Sequence, residues 1–534
     1  METDTKPTAG SDVERGSSYT GSVLPETKEV VDGASPNKHP RDGMAAWRWP
    51  CIQSAFFLGG MLLGYDVSNI ANIQPPIYEA FGQVHLLPWV ATGYTATQVC
   101  MVPLVRKLAL LGHVKLQIVA YTLIFLIGAA VSGSATSMNS VIIGRAVSGV
   151  GGAGIYQLCI LVNVLLTTPA ELPRVQGIMA VSWAIGLTLG PVIGGAFAEN
   201  QSATWRWVGV NTPLIGGLLA IDWFGIVLHM AGFILLCSAL IFSGSTWEWS
   251  SHSAIVAWVF VGVIYAIYIA QQYFCLFTSK EHRAIPADLL KSRTVALVGL
   301  GTMAAGSCYG IALYYTPLFF AFTKGVEPVD AAVRILPFIF TFIIFSIVMA
   351  SMIPVIGRYA PFYVAGGALA MIGAGLQTQI TPQTSEARVM GVSTLIGAGT
   401  GCMWQTGVAI MTQAVPANRR LDVTALFIMV QLGGISVTLA LAGCVFSNLG
   451  FNRLHMSLSG LGYNDHDIRE ALAGLDSKIW TAADRRVVAI AVQDVASVIA
   501  DLQFVIVAAG AVAFLSGCFM KWEKLGFGRA KASK

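Results

Sequence analysis

Gly186-Leu187-Thr188-Leu189-Gly190-Pro191-Val192-Ile193-Gly194-Gly195 lies inside a long apolar stretch of the chain. Gly186, Gly190 and Gly194 recur every four residues, so on a helix they line one face. Such a face lets a helix backbone press against a neighbour. Pro191 removes one backbone donor and favours a kink. A close-packed, bendable helix suits a protein whose halves rock past each other. The run therefore points to transport rather than to catalysis.

The flanking sequence sets that helix among many like it. Apolar residues make up 55% of the 534 and charged residues only 11%, against the roughly one quarter of charged residues usual in soluble domains. Many stretches reach the ~20 apolar residues that a helix needs to cross a bilayer. In lipid the backbone must satisfy itself, so these stretches are expected to be helices. Barrel strands would alternate over ~10 residues, which the run lengths exclude. The expected class is an all-α polytopic membrane protein with the lipid bilayer as its partner. The net charge of +4 is spread over loops, and no basic patch suggests nucleic acid. All nine cysteines fall in apolar stretches and the eight histidines lack metal-ligand spacing. Free thiols, no metal and no cofactor are expected.

Length and hydropathy place spans near 48–70, 86–105, 116–134, 140–166, 175–197, 205–221, 223–243, 254–277, 294–322, 329–353, 361–380, 387–412, 422–447 and 503–523. The polar segment 1–46 reads as a disordered cytosolic tail rather than a cleavable signal. The expected organisation is a six-helix bundle over 47–221, an inserted helix pair over 222–277 and a cytosolic loop over 278–293. A second six-helix bundle over 294–523 contains a polar outer loop, 448–502, and precedes a short tail, 524–534. Lys and Arg concentrate at 106–115, 280–293, 419–420 and 521–534, which puts both termini inside. The span 205–221 measures about 26 Å at 1.5 Å per residue, short of the ~30 Å hydrocarbon core. Parity between the two basic clusters nonetheless requires it. Val488, Ala491, Val495, Ile499 and Leu502 form a stripe that predicts an amphipathic helix lying at the outer surface. Asn200-Gln201-Ser202 is a glycosylation sequon, placed too near the membrane to expect its use.

Several residues carry candidate chemistry. Asp66 is a carboxylate inside an apolar span, an expensive placement that marks a proton-binding candidate; the plainer reading is a cap for the segment after it. Arg145 needs buried partners, either to help proton exchange or to pin helices together. Asp222 and His229 share a face; a tight turn and a satisfied polar spot outweigh a relay. Tyr156, Gln157, Trp183, Tyr314, Tyr315, Phe319, Trp404, Gln405 and Gln431 fit a large apolar cavity with a few hydrogen-bonding groups. Gly397-Ala398-Gly399-Thr400-Gly401 lacks the lysine of a nucleotide loop, and helix packing explains it better. Asn464-Asp465-His466-Asp467 is the one dense polar cluster and reads as solvated.

These motifs together resemble the major facilitator superfamily, and most closely the fourteen-span drug:proton antiporters of the fungal branch that exports toxins and other secondary metabolites. Leu189-Gly190-Pro191-Val192-Ile193-Gly194-Gly195 is close to the antiporter motif of the fifth span. Trp205-Arg206-Trp207 with Asn211, Pro213 and Gly216 resembles the signature that follows it. Arg145 with Ser148-Gly149-Val150-Gly151 is similar to the fourth-span motif. Gly64-Tyr65-Asp66 with Asn69, Ile73 and Pro75 is similar to the acidic motif of the first span, and Tyr314-Tyr315-Thr316-Pro317 with Leu336-Pro337 to later spans. One departure stands out. The loop between the second and third spans usually carries Gly-x-Leu-x-Asp-x-x-Gly-Arg, whereas Pro103-Leu104-Val105-Arg106-Lys107 through His113 has no aspartate. The usual charge latch of the inner gate is left without its acid.

The resemblance implies a non-enzymatic, proton-driven exporter of small organic molecules. It would work as a monomer, with Asp66 and Arg145 in proton coupling and Gly186–Gly195 in conformational change. The plasma membrane is the expected location, with a vacuolar or vesicular membrane as the alternative. The alternatives in function are uptake of an organic solute or iron chelate, a polytopic membrane enzyme, and a transporter-like sensor.

Overall fold

The computed structural model describes residues 39–81, 86–109, 113–198, 222–276, 278, 283–326, 328–473, 477–522 and 524–525. Thirteen long helices run through them: α1 Arg48–Phe81, α2 Leu87–Leu108, α3 Val114–Gly133, α4 Met138–Leu166, α5 Leu172–Ala198, α6 Trp223–Phe242, α7 His252–Phe274, α8 Arg293–Lys324, α9 Leu336–Ile356, α10 Ala360–Gln377, α11 Glu386–Met403, α12 Arg420–Ser457 and α13 Arg485–Phe519. Nine of the described helices are long and apolar enough to cross a membrane. The expected span 205–221, with its Trp-Arg-Trp signature and the Asn200 sequon, lies outside the described residues.

Local sequence explains the helix ends. Proline at the first turn opens α2, α9 and α10, where its missing N–H leaves nothing unpaired. The Ser251 hydroxyl accepts from the Ala254 amide at the start of α7 (3.3 Å). Gly325 and Gly357 close α8 and α9 at φ +60° and +69°, a left-handed turn that glycine adopts without strain.

Glycines then set how closely the helices pack. A Cβ on Gly64 of α1 would land on the Trp183 carbonyl of α5, and a Cβ on Gly186 of α5 would land on the Met61 carbonyl of α1. The same reciprocal contact recurs in the second half of the chain. A Cβ on Gly306 of α8 would strike the Gln431 carbonyl of α12, and one on Gly434 would strike the Met303 carbonyl. The offsets agree as well, Met61 to Gly64 and Trp183 to Gly186 against Met303 to Gly306 and Gln431 to Gly434. The chain is thus an internal repeat, and Trp183 and Gln431 occupy equivalent places in its two halves. Gly399 and Gly401 of α11 leave no room for a side chain against Gly366 and Phe342, so the 397–401 run is packing.

The halves meet along two seams, α2 with α12 and α5 with α9. At the second seam a Cβ on Gly177 would sit 3.2 Å from Ala350. The inserted pair, α6 and α7, lies beside the first seam, α6 touching both α2 and α12.

Two expectations need correction. The stripe from Val488 to Leu502 is not a separate surface helix; it belongs to α13, which is continuous from Arg485 to Phe519. Ala491, Val495, Ile499 and Leu502 are buried. α12 likewise extends to Ser457, and Arg453 on it binds Asp501 and Ser497 of α13. The stripe buries itself against protein because a neighbouring helix of equal length is there to cover it. The irregular outer loop therefore shrinks to 458–484, with short helices at 465–473 and 478–481. Residues 39–46 also depart from the disordered tail expected of them. Arg41 stacks over Trp49 (4.4 Å) and pairs with Glu171 (2.5 Å), which ties this stretch to the turn before α5.

Candidate functional site

The repeat brings side chains from both halves together midway along the bundle. Tyr156, eighteen residues into α4, donates its hydroxyl hydrogen to Oε1 of Gln431 on α12 (2.7 Å). The same hydroxyl accepts from Nε2 of Gln405 (3.2 Å). Trp183 on α5 donates its ring N–H to the hydroxyl of Tyr309 on α8 (3.1 Å). Ring contacts join these pairs: Tyr156 to Trp183 at 5.6 Å, Tyr309 to Trp404 at 4.6 Å and Phe342 to Trp404 at 5.5 Å. Tilted aromatic contacts of this kind each add about 0.5–1.5 kcal/mol beyond burial.

A break in a helix shapes this centre. α11 ends at Met403, Trp404 and Gln405 interrupt it, and a short helix resumes at Thr406–Gln413. The Trp404 carbonyl released there accepts from Nε2 of Gln431 (2.9 Å). Broken helices inside a membrane bundle expose backbone polar groups where a ligand can use them. Gln157 is fully buried and both its amide atoms lack a partner among the described residues, as does Oε1 of Gln405. A buried polar atom without a partner is costly, and its retention points to use.

Of the expected cavity residues, Tyr156, Trp183, Trp404, Gln405 and Gln431 converge. Tyr314, Tyr315 and Phe319 do not join them. Tyr315 packs on Phe446 of α12 (5.8 Å) and Phe319 on Phe320 (5.8 Å), further along α8. Tyr309 and Phe342 belong to the cluster and were not anticipated. Tyr309 follows Gly306 by three residues, so its counterpart in the first half is Val67, and no sequence signal marks it.

Asp66 and Arg145 meet toward the other end of α1 and α4. An Arg145 terminal nitrogen lies 2.6 Å from Oδ1 of Asp66, the Arg145 Nε donates to the Val90 carbonyl (3.3 Å), and the guanidinium lies 4.6 Å over the ring of Tyr94. Oδ2 of Asp66 and the second Arg145 terminal nitrogen have no hydrogen-bond partner among the described residues. Asp66 is thus no local cap but half of a buried ion pair. Gly186 is in the α1 contact described above. Gly190, Pro191, Gly194 and Gly195 lie on α5, which stays helical to Ala198; their surroundings, like those of Asn69, Ile73 and Pro75, lie outside the described residues.

At the end carrying the basic loops, called inner, charge ties the halves together. Arg106 of α2 pairs with Asp422 at the start of α12 and donates to the carbonyls of Arg283 (2.6 Å) and Ala284 (2.8 Å). Arg419 bridges Asp422 (2.7 Å) and Asp288 (2.8 Å), and Arg283 also binds Asp288. Asp222 caps α6, accepting from the Gly225 amide (2.9 Å), Gln271 (3.1 Å) and the Ala284 amide (3.0 Å). That turn role matches its bland reading; His229 lies 3.4 Å from the Val99 carbonyl and is not linked to it. The acid missing from the loop after α2 is therefore supplied from the other half, by Asp422. The signal in the sequence was Arg419-Arg420-Leu421-Asp422, a lone acid among basic residues at a span boundary.

The arrangement agrees with what the chain is similar to. The profile of the Major Facilitator Superfamily matches residues 56–228. "Efflux pump DEP3" of Fusarium langsethiae is 30% identical, over 92% of this chain and 93% of that protein. "MFS-type transporter patC" of Penicillium expansum is 29% identical, over 93% and 95% respectively. Among solved structures, a bacterial homologue of the human lysosomal transporter Spinster, inward-facing and unoccupied, superposes with a TM-score of 0.57 at 17% identity, over 88% of this chain and 97% of that one.

Proposed function

Because this chain belongs to the major facilitator superfamily, we propose that it is a secondary transporter that exports small organic molecules by alternating access, driven by protons flowing inward. It is a multi-pass membrane protein, and the plasma membrane is the proposed location. The observation that carries the reading is the polar and aromatic seal from Tyr156 to Gln431 and from Trp183 to Tyr309, built by both halves, with Trp183 and Gln431 on equivalent positions. Separating the halves turns those groups into walls that face a solute. Relatives named efflux pumps support the outward direction.

Asp66 is the proposed proton carrier. Its second oxygen, without a partner among the described residues, accepts a proton, which cancels the attraction that holds Arg145. Loading of Asp66 thereby loosens the α1–α4 contact, and the glycine-lined α1–α5 surface lets the helices slide. The protein acts as a monomer, since the seal uses two halves of one chain.

Inverted membrane vesicles test this reading. With an inward-acid gradient they accumulate the secreted compounds of the producing cell, and an uncoupler abolishes the accumulation. Accumulation only in right-side-out vesicles would replace export with uptake. Asp66→Asn should bind solute yet fail to concentrate it. The mutation leaves Arg145 buried and unpaired, a loss of about 3–5 kcal/mol, so Asp66→Asn with Arg145→Gln serves as the stable control. Gradient-driven pumping by that double variant would remove Asp66 from the mechanism.

A further inference from the structure

Charge is sparse in the middle of this bundle among the described residues. Away from the span ends, the charged side chains among the described residues are Asp66 and Arg145 alone, and they are paired with each other. The central cluster is made of Tyr156, Trp183, Tyr309, Trp404, Gln405 and Gln431, with no ionisable carboxylate or ammonium. Arg145 and Tyr156 are eleven residues apart on one helix, about 16 Å at 1.5 Å per residue. The ion pair and the seal are thus distinct places.

An ion brought to the seal would leave water without gaining a counter-charge. Isolated charges in such surroundings are strongly disfavoured. Among the described residues a cation in mid-bundle would reach a carboxylate only at Asp66, which already holds Arg145. The polar capacity that is present is of another kind. Gln405 has a carbonyl oxygen without a partner among the described residues, and Gln157, next to Tyr156 along α4, has both amide atoms without one. The break at Trp404–Gln405 adds a backbone carbonyl now borrowed by Gln431. The rings of Trp183, Tyr309 and Trp404 around them supply aromatic surface on which a solute can pack once the halves part.

We infer that the cargo is an uncharged molecule bearing both a hydroxyl and a carbonyl, bound against Trp183, Tyr309 and Trp404 while the proton is carried separately at Asp66. This rests on the export reading above and narrows its substrate. Two consequences follow. Proton and cargo do not compete for one group, so they are coupled through the shared helix α4. An uncharged solute leaving against an entering proton also moves net charge, so membrane potential as well as pH drives turnover.

The test uses the intact purified protein and three probes on one skeleton: 7-(hydroxymethyl)coumarin, its trimethylammonium analogue and coumarin-7-carboxylate. Equilibrium dialysis reads binding, and a pH indicator sealed inside proteoliposomes reads proton movement. The uncharged probe should bind at least tenfold more tightly than either ion and drive proton flux that rises with membrane potential. Gln405→Glu should reverse the order in favour of the cation. Equal or tighter binding of an ion by the unmutated protein overturns the inference, as does failure of all three to bind at millimolar concentration. An unchanged order in Gln405→Glu overturns the placement of the site. If an ion binds best and moves protons, the substrate class fails and export stands. If the uncharged probe binds but never moves protons, the class stands and the proton-driven reading fails.

Discussion

Asp422→Asn isolates the inner latch. The carboxylate pairs with Arg106 across the two halves and with Arg419 on its own side. The Arg106 side chain is only 3% exposed and that of Asp422 is 23% exposed. Removing one partner of a fully buried pair costs about 3–5 kcal/mol. Three features lower that figure here: Asp422 is partly solvated, Arg106 keeps two carbonyl acceptors, and Arg419 keeps Asp288. A loss of about 2 kcal/mol from the inner-closed state remains. At 1.4 kcal/mol per factor of ten, that is roughly a 30-fold rise in the inner-open to inner-closed ratio. Lys115 and Asn418 are exposed at inner loops of opposite halves and can carry nitroxide amino acids. Pulsed electron resonance between them should show the longer-distance population grow in Asp422→Asn. Arg106→Gln should produce the same shift, and the double variant should add little, since both break one contact. Identical distance distributions in all four proteins would refute the latch and return Asp422 to an ordinary surface acid.

Tyr156→Phe removes the two hydrogen bonds that its hydroxyl makes across the seal and leaves Gln431 and Gln405 short of a partner. It should lower the melting temperature in detergent, with about 1–3 kcal/mol lost; an unchanged melting curve would mean that water replaces the hydroxyl. Asn448→Ala frees the outer turn of the inserted pair, because Asn448 donates to the Ser243 carbonyl (3.0 Å) and accepts from the Trp249 ring N–H (3.3 Å). Proteolysis between α6 and α7 should quicken, and a rate equal to that of the unmutated protein would show the bracket to be idle. Burial alone would raise Asp288, but hydrogen bonds from Arg419 and Arg283 outweigh it and hold its pKa below the ordinary 3.8. Its contribution to the inner clasp is therefore complete above that value and is lost only as pH falls through the lower folded value. The distance between Lys115 and Asn418 should stay constant from pH 7 to 5 and widen below about 3.8; widening already near pH 6 would contradict the assignment.

The sequence disclosed the helices readily because apolar length is a local property, and the thirteen described helices fall on expected spans. Helix ends past the membrane were misjudged. Apolar periodicity from Val488 to Leu502 does not say whether lipid headgroups or the outer turns of α12 will cover it. Asp66 and Arg145 were both singled out, since charge in an apolar stretch is conspicuous, yet their pairing joins residues 79 positions apart and no spacing rule reaches that far. The inner latch was hidden for the same reason. Attention fell on the loop that lacks an aspartate, whereas the acid arrives from a helix 316 positions later.

The repeat pairs residues of unlike chemistry. Trp183 is conspicuous by residue type, but its equivalent in the second half is Gln431, a residue of different chemistry held by the same glycine contact. Sequence similarity between the halves is lost where function requires the two sides of the site to differ. Backbone geometry persists there, because Gly64, Gly186, Gly306 and Gly434 each meet a carbonyl that no larger residue would tolerate. Replacing any of the four by valine forces the helices apart wherever it stands. Replacing Trp183 or Gln431 leaves that spacing intact, because only their carbonyls make the contact, and should change what the proposed centre binds. Packing and recognition thus fall on adjacent atoms of one residue, its backbone serving the fold and its side chain the site.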